Sequence, residues 1–335
     1  MRRICSGVIV IFAAMTAGSS FGASADGALP DFNVEVNEPP QIVFMGDSII
    51  TGYGLEGYEA GDNTRCESFA NILAKRYGEK LPAQADFKMY NEGLDGRTSE
   101  QLLEKIQSGD LDKELAEADA VVVSIGGNDL LYTIFSIIKD GGGIKKIVSR
   151  ATDLSKDLDK VLDGFDERMS AIAEEIDKRT DGEIIVQTLY NPLESTSFDM
   201  LNKMSEKKIN RLNEVIVECS QGGSVYTVCD VASGFKGRAE ELTAIKDYDI
   251  HPNAEGHKLI AELLDETITS KTYTYYDAEA AKKYEAELAQ AKLQKAEEEK
   301  EAAEKKVRTV TICAGTTVLA AVAAMTAVIV HRKKK

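Results

Sequence analysis

Five short apolar runs recur along the chain: Ile42 to Met45, Phe87 to Tyr90, Ala120 to Ile125, Ile184 to Leu189 and Val225 to Val228. Each is only four to six residues long. Runs of that length, edged by Gly, Asp or Ser, read as strands and are too short for buried helices. Between them the apolar positions fall at intervals of three and four. Phe69, Ile72, Leu73 and Tyr77 line one side of a predicted helix over Ser68 to Tyr77, and Ser99 to Ile106, Leu154 to Arg179, Ser205 to Cys219 and Ala254 to Leu264 follow the same rule. Strands alternating with helices imply a parallel sheet covered on both faces. The unbroken Val121-Val122-Val123 suits a central strand with no solvent-facing side. One domain, residues 38–272, absorbs the whole pattern, and there is no internal repeat.

Both ends depart from it. Met1-Arg2-Arg3 leads into a mostly apolar run and then Ala23-Ser24-Ala25, which reads as a signal peptide over residues 1–25. A linker, 26–37, carries Pro30 and precedes Pro39 and Pro40. Residues 277–308 are rich in Ala, Glu and Lys, strong helix formers. This stretch reads as a stalk about 48 Å long at 1.5 Å per residue. Large apolar residues there are few (Tyr284, Leu288, Leu293, Val307), so a sustained heptad seam is missing and any dimerisation through the stalk is weak. Residues 309–330 then run without a charge, long enough to span a bilayer, and 331–335 form a basic tail that the positive-inside rule places in the cytoplasm. The expected arrangement is a single-pass membrane protein with its domain outside the cell.

Composition sharpens this in two respects. The 335 residues carry 40 basic and 56 acidic side chains, net −16, and six of the basic ones sit at the two ends. A domain so acidic disfavours nucleic acid as a partner. The cysteines outside the predicted leader and span are Cys66, Cys219 and Cys229, an odd number, so no complete disulfide framework exists. Cys219 and Cys229 flank Gly222-Gly223 and are either a bridge across a turn or two buried thiols. No Cys/His cluster has metal-ligand spacing, and no metal or organic cofactor is called for.

Candidate chemistry sits where strands end. The first run stops at Gly46-Asp47-Ser48, placing a serine at the mouth of the sheet, where open α/β folds carry their functional groups. A serine hydroxyl there needs a base. His251, in Asp249-Ile250-His251-Pro252-Asn253, lies on a turn before the last helix of the domain; His257, on that helix, reads as a packing or surface residue. Gly96 follows the second strand, and a glycine there lets its N–H approach a ligand closely. Asn128, after the third strand in Gly126-Gly127-Asn128-Asp129, offers a side-chain amide to an oxyanion. Asp249 and Asp247 are the acids nearest His251, and a backbone carbonyl is the other way to hold its ring. Thr51 to Asn63, with Gly52, Gly54, Gly57 and Gly61, reads as a flexible loop at the substrate entrance. Residues 131–182, with Gly141-Gly142-Gly143, form either a lid or a plain surface loop.

These four blocks, in this order, resemble the SGNH or GDSL-type hydrolases, esterases and lipases of flavodoxin-like α/β/α fold, over residues 41–265. Gly46-Asp47-Ser48 matches the first block, with Ile49 where the family name has Leu. Asn91 to Thr98 matches the second, Gly126 to Asp129 the third and His251-Pro252-Asn253 the last. The resemblance implies Ser48 as nucleophile, His251 as base, and the Ser48 N–H, Gly96 N–H and Asn128 side chain as oxyanion donors. The family pattern Asp-x-x-His is broken, since Tyr248 stands three residues before His251; Asp249, two before, is the expected third member. The implied activity is a cell-surface carboxylic ester hydrolase working through an acyl-enzyme. The expected substrates are short acyl groups such as acetyl on glycans, with lipid esters as the second option. Two alternatives are a non-catalytic binding or adhesion module on the same fold, and an assembly helix carrying a passive domain.

Overall fold

The computed structural model describes residues 30–137, 149–194, 199–221 and 226–333. The expected signal peptide, the Gly141–Gly143 triplet, Gly222-Gly223 and the last two lysines lie outside these residues. In chain order the elements are β1 (Asn33–Val36), β2 (Gln41–Gly46), α1 (Ser48–Thr51), α2 (Phe69–Lys80), β3 (Lys88–Gly93), α3 (Ser99–Gln107), α4 (Asp112–Glu117), β4 (Ala120–Ser124), α5 (Gly127–Ile137), α6 (Ala151–Asp177), β5 (Glu183–Gln187), α7 (Asp199–Gln221), β6 (Tyr226–Cys229), α8 (Val231–Phe235), α9 (Ala239–Leu242), α10 (Ala254–Ile268), β7 (Tyr273–Tyr276) and α11 (Ala278–Lys333).

Five strands form one parallel sheet in the order β3-β2-β4-β5-β6. The expected three-layer flavodoxin-like architecture is what the chain adopts. The order reverses beside β2, and the crevice outside the carboxyl ends at such a switch point is where open α/β sheets bind ligands. Side-chain alternation divides the core between the two faces. Val43, Met45, Val121 and Val123 pack beneath α3, α6 and α7, while Ile42, Phe44, Ala120 and Val122 pack against α2 and α10. All eight are fully buried. Each large one is worth about 1.5–3 kcal/mol relative to exposure.

Local signals set the helix starts. Thr98 and Gln101 form a reciprocal capping box on α3, Ser68 caps α2, and Asn253 accepts from Gly256 N at 3.0 Å to cap α10. The cysteine alternative resolves to thiols. Cys219 belongs to the cluster under α6, with Sγ beside Ser170 at 3.3 Å, whereas Cys229 belongs to the opposite face, and both are free.

The segment 26–37, read as a linker, contains β1, which pairs antiparallel with β7, just past the expected domain end at 272. Of residues 277–330, read as stalk and span, 278–330 form one continuous helix within α11. By length and composition it is a candidate to cross a membrane.

His257 is completely buried and ties α10 to α2. Its Nδ1 accepts from the Phe69 N–H at 3.2 Å, and its ring stacks on Phe69 at 5.9 Å. The ring must be neutral to accept that bond, and burial pushes its pKa down from 6.5 to about 3. The unfolded chain therefore takes up this proton below about pH 6.5 while the folded chain does not until about pH 3. The stabilisation is complete above 6.5 and is lost as pH falls through this window. Urea unfolding at pH 7 and pH 4.5 is expected to show about 2–3 kcal/mol more acid destabilisation in wild type than in His257→Gln. Parallel losses in the two proteins would contradict this role.

Candidate active site

The carboxyl edge of the sheet gathers residues from four distant segments. Gly46 ends β2 at a φ of 156°, and a Cβ there would lie 1.9 Å from the Ser124 carbonyl oxygen. Only glycine lets β2 run this close to β4 and turn at once into α1. Asp47 then caps α1 by accepting the Ile49 N–H at 3.0 Å, which presents Ser48 as the first helical residue.

Ser48 Oγ lies 2.9 Å from His251 Nε2. On the other side of the ring, His251 Nδ1 is 2.5 Å from Asp249 Oδ1, and the same oxygen accepts the His251 backbone N–H at 3.0 Å. One carboxylate oxygen thus holds both the ring and the main chain of the histidine. The two-residue spacing is made possible by Tyr248, which adopts the left-handed conformation at φ 60° after a short 3-10 turn. The hairpin-like loop is pinned elsewhere. Ala244 N donates to the His251 carbonyl at 3.0 Å, and Tyr190 Oη donates to the Ile250 carbonyl at 2.8 Å. Sequence reading placed these residues on one rim; the structure joins them in a continuous hydrogen-bonded series.

Gly96 and Asn128 flank the serine. Gly96 has φ 75°, its carbonyl accepts from Tyr132 Oη at 3.0 Å, and no backbone acceptor takes its N–H among the described residues. Asn128 donates one amide hydrogen to the Arg97 carbonyl at 3.1 Å, which fixes the side chain. The other is directed at Asp47 Oδ2 across a long 3.4 Å and remains available to a stronger acceptor.

Asp47 is itself buried beneath these groups. Burial, more than anything else, raises its pKa to about 7; the Ile49 N–H opposes this, and Asp129 and Asp95 add to it. Asp129 is engaged with Ser99 at 2.5 Å and Arg168 at 3.1 Å, so the second aspartate of the Gly126–Asp129 block braces α3 and α6.

Some contributions were invisible to residue patterns. The Tyr53 ring lies 4.6 Å from that of His251, tilted by 44°, and covers one face of the imidazole. Its loop is anchored through Asp95, which accepts from Thr51 Oγ1 at 2.6 Å and from Tyr58 Oη. The glycine-rich composition of 51–63 flagged the loop but not this ring contact.

A cavity of about 180 Å³ opens beside Ser48 and His251. Its walls are almost wholly apolar, drawn from α5 (Leu130, Leu131, Ile134), α6 (Leu158), the segment after β5 (Leu189) and α7 (Met204). A Cβ on Gly126 would meet Phe165 of α6 and Leu212 of α7, so these residues stand level with the sheet edge. Leu158 and Lys208, about two turns and one turn earlier on helices that descend from that edge, lie beyond it. The cavity therefore extends outward from the serine, between α5, α6 and α7. Lys208 joins its two helical walls, donating from a buried Nζ to Asp159 at 2.6 Å and to the Ser155 carbonyl at 2.9 Å.

Comparison with known proteins finds one relative by sequence and two similar structures. YpmR of Bacillus subtilis (strain 168), an uncharacterized protein, is 24% identical over 274 residues, covering 79% of this chain and 96% of its own length. The extracellular lipase of Streptomyces rimosus shares the fold at a TM-score of 0.52 and 16% identity, over 68% of this chain and 98% of the lipase. An acetylxylan esterase from Geobacillus stearothermophilus is similar at a TM-score of 0.46 and 17% identity, over 68% of this chain and 93% of its own. Residues 44–259 match the GDSL-like lipase/acylhydrolase family, a span that takes in Ser48, Gly96, Asn128 and His251. The chain belongs to that family and is a serine ester hydrolase.

Proposed function

We propose that this protein hydrolyses esters of apolar acyl chains through a covalent intermediate on Ser48, and that it does so as a membrane-tethered enzyme. His251 Nε2 takes the Ser48 proton as Oγ bonds to the ester carbonyl carbon. The Ser48 and Gly96 N–H groups and the Asn128 amide hydrogen that makes the long 3.4 Å contact to Asp47 stabilise the oxyanion. His251 then returns the proton to the leaving alcohol as the C–O bond breaks. A water, deprotonated by the same ring, releases the acid and restores Ser48. Asp249 orients the ring and offsets the positive charge it gains.

The observation that carries the substrate class is the apolar cavity beside the nucleophile. Acetyl groups on glycans were the first expectation from sequence. Such a group has one methyl to bury and would leave these walls unused. An acyl chain of several carbons fills them, which favours the second expectation, a lipid-type ester. At about 0.8 kcal/mol per CH₂, three methylenes seated in the cavity raise kcat/KM about 50-fold.

A panel of p-nitrophenyl esters from acetyl to dodecanoyl tests this. Wild type is expected to prefer octanoyl to acetyl by at least about tenfold. Met204 is half-buried on α7 and lines the cavity, so Met204→Trp is expected to remove that preference while leaving acetyl hydrolysis within about twofold. A wild type that prefers acetyl would reject the assignment.

A further inference from the structure

The position of the site relative to the long helix bears on where the substrate comes from. Ser48, Gly96, Asn128 and His251 stand at the carboxyl edge of the sheet. The chain then descends through α10 to the opposite edge. There Tyr273 Oη donates to Glu183 at 3.0 Å and Lys271 Nζ pairs with the same carboxylate at 2.6 Å, and Glu183 is the first residue of β5. β7 and β1 close a ribbon below this edge, and α11 starts from it, with Asp277 N donating to the Phe32 carbonyl at 2.9 Å.

The first turns of α11 are seated on the ribbon. Phe32 packs against Tyr276 and Tyr284 at 6.2 and 5.8 Å, and Ala281 is buried. From Glu285 through Ile329 every residue is exposed, so the helix leaves the domain and does not fold back along it. The charged stretch 285–308 reaches about 36 Å before the apolar segment begins. In that segment Val310, Ile312, Leu319 and Met325 are each about two-thirds exposed, packed against no other element among the described residues.

From this placement we infer that the enzyme takes its acyl ester from solution or from a surface facing the membrane, not from the bilayer that holds α11. The inference rests on the proposed esterase reading and on α11 as the span. The serine stands a strand's length, about 20 Å, beyond the edge from which the helix departs, in addition to the charged stretch. A lipid of the anchoring bilayer would have to leave it completely to reach Ser48, at about 0.8 kcal/mol for each CH₂ exposed to water.

The full chain reconstituted in phosphatidylcholine vesicles tests this. A fluorogenic octanoyl ester is fixed to a two-chain lipid so that it cannot leave its vesicle. It is placed either in the protein-bearing bilayer or in separate, protein-free vesicles, and p-nitrophenyl octanoate in solution is the third arm. Ser48→Ala is run as the blank in each. The soluble ester is expected to be hydrolysed, and the ester in the protein's own bilayer at least tenfold more slowly than one or both of the others. Hydrolysis of the soluble ester alone identifies solution as the source; hydrolysis in the separate vesicles identifies an apposed surface. Cleavage in the protein's own bilayer as fast as in the other arms overturns the inference while leaving the esterase reading intact. No cleavage of the soluble ester overturns both.

Discussion

Ser48→Ala is expected to reduce kcat/KM for p-nitrophenyl octanoate by about 10⁵-fold or more, the scale on which triad nucleophiles act. The substitution removes the atom that His251 Nε2 approaches at 2.9 Å and leaves the oxyanion donors in place. The residual rate is then that of water attacking an ester held by those donors and by the apolar cavity. Little else should change. Ser48 Oγ has no other side-chain partner among the described residues, and a single hydroxyl contributes only about 1 kcal/mol to stability. Circular dichroism and the unfolding midpoint should therefore match wild type. A variant that folds normally and keeps more than about a hundredth of the activity would remove Ser48 from the mechanism.

Asp249→Asn is expected to cost about 10⁴-fold in kcat, because the amide can donate to Nδ1 and so favour the wrong imidazole tautomer. Asp249→Ala is expected to lose about 10²-fold or more by a different route. It removes the acceptor for both Nδ1 and the His251 backbone N–H, so the ring and its loop are freed together. Comparing the two separates tautomer control from positioning. The competing idea is that a backbone carbonyl holds the ring and Asp249 is incidental. It predicts near wild-type rates for both variants, and stopped-assay kcat values at pH 8 distinguish the cases.

How much of this was legible depended on whether the relevant residues were contiguous. The inner strands β2, β4 and β5 are short apolar runs because both of their faces are covered, whereas the edge strands β3 and β6 are partly exposed; the sequence pattern located each within a few residues. The β1–β7 ribbon has no such signature. Val34 and Tyr276 are exposed, neither strand buries a continuous face, and the partners are more than 230 residues apart. It also explains why 26–37 read as a linker.

The serine, glycine, asparagine and histidine blocks were readable because each is a tight turn with its own residue requirements. The broken Asp-x-x-His spacing left Asp249 ambiguous. What resolves the geometry is the left-handed Tyr248, a backbone state that tyrosine rarely adopts and that no propensity would suggest. The apolar cavity was not legible, since three helices and a loop from separate parts of the chain build it. The expectation of acetyl substrates came from the inferred location outside the cell, and the proposal of longer acyl chains rests on the apolar cavity.

The proposed mechanism requires a covalent bond to Ser48. Wild type and Ser48→Ala treated with an octyl fluorophosphonate can be compared by intact mass and by peptide mapping. The expected result is one adduct per wild-type chain, on the peptide that contains Ser48, formed in step with the loss of esterase activity and absent from the variant. An adduct on another residue, or activity that persists in fully labelled protein, would contradict it.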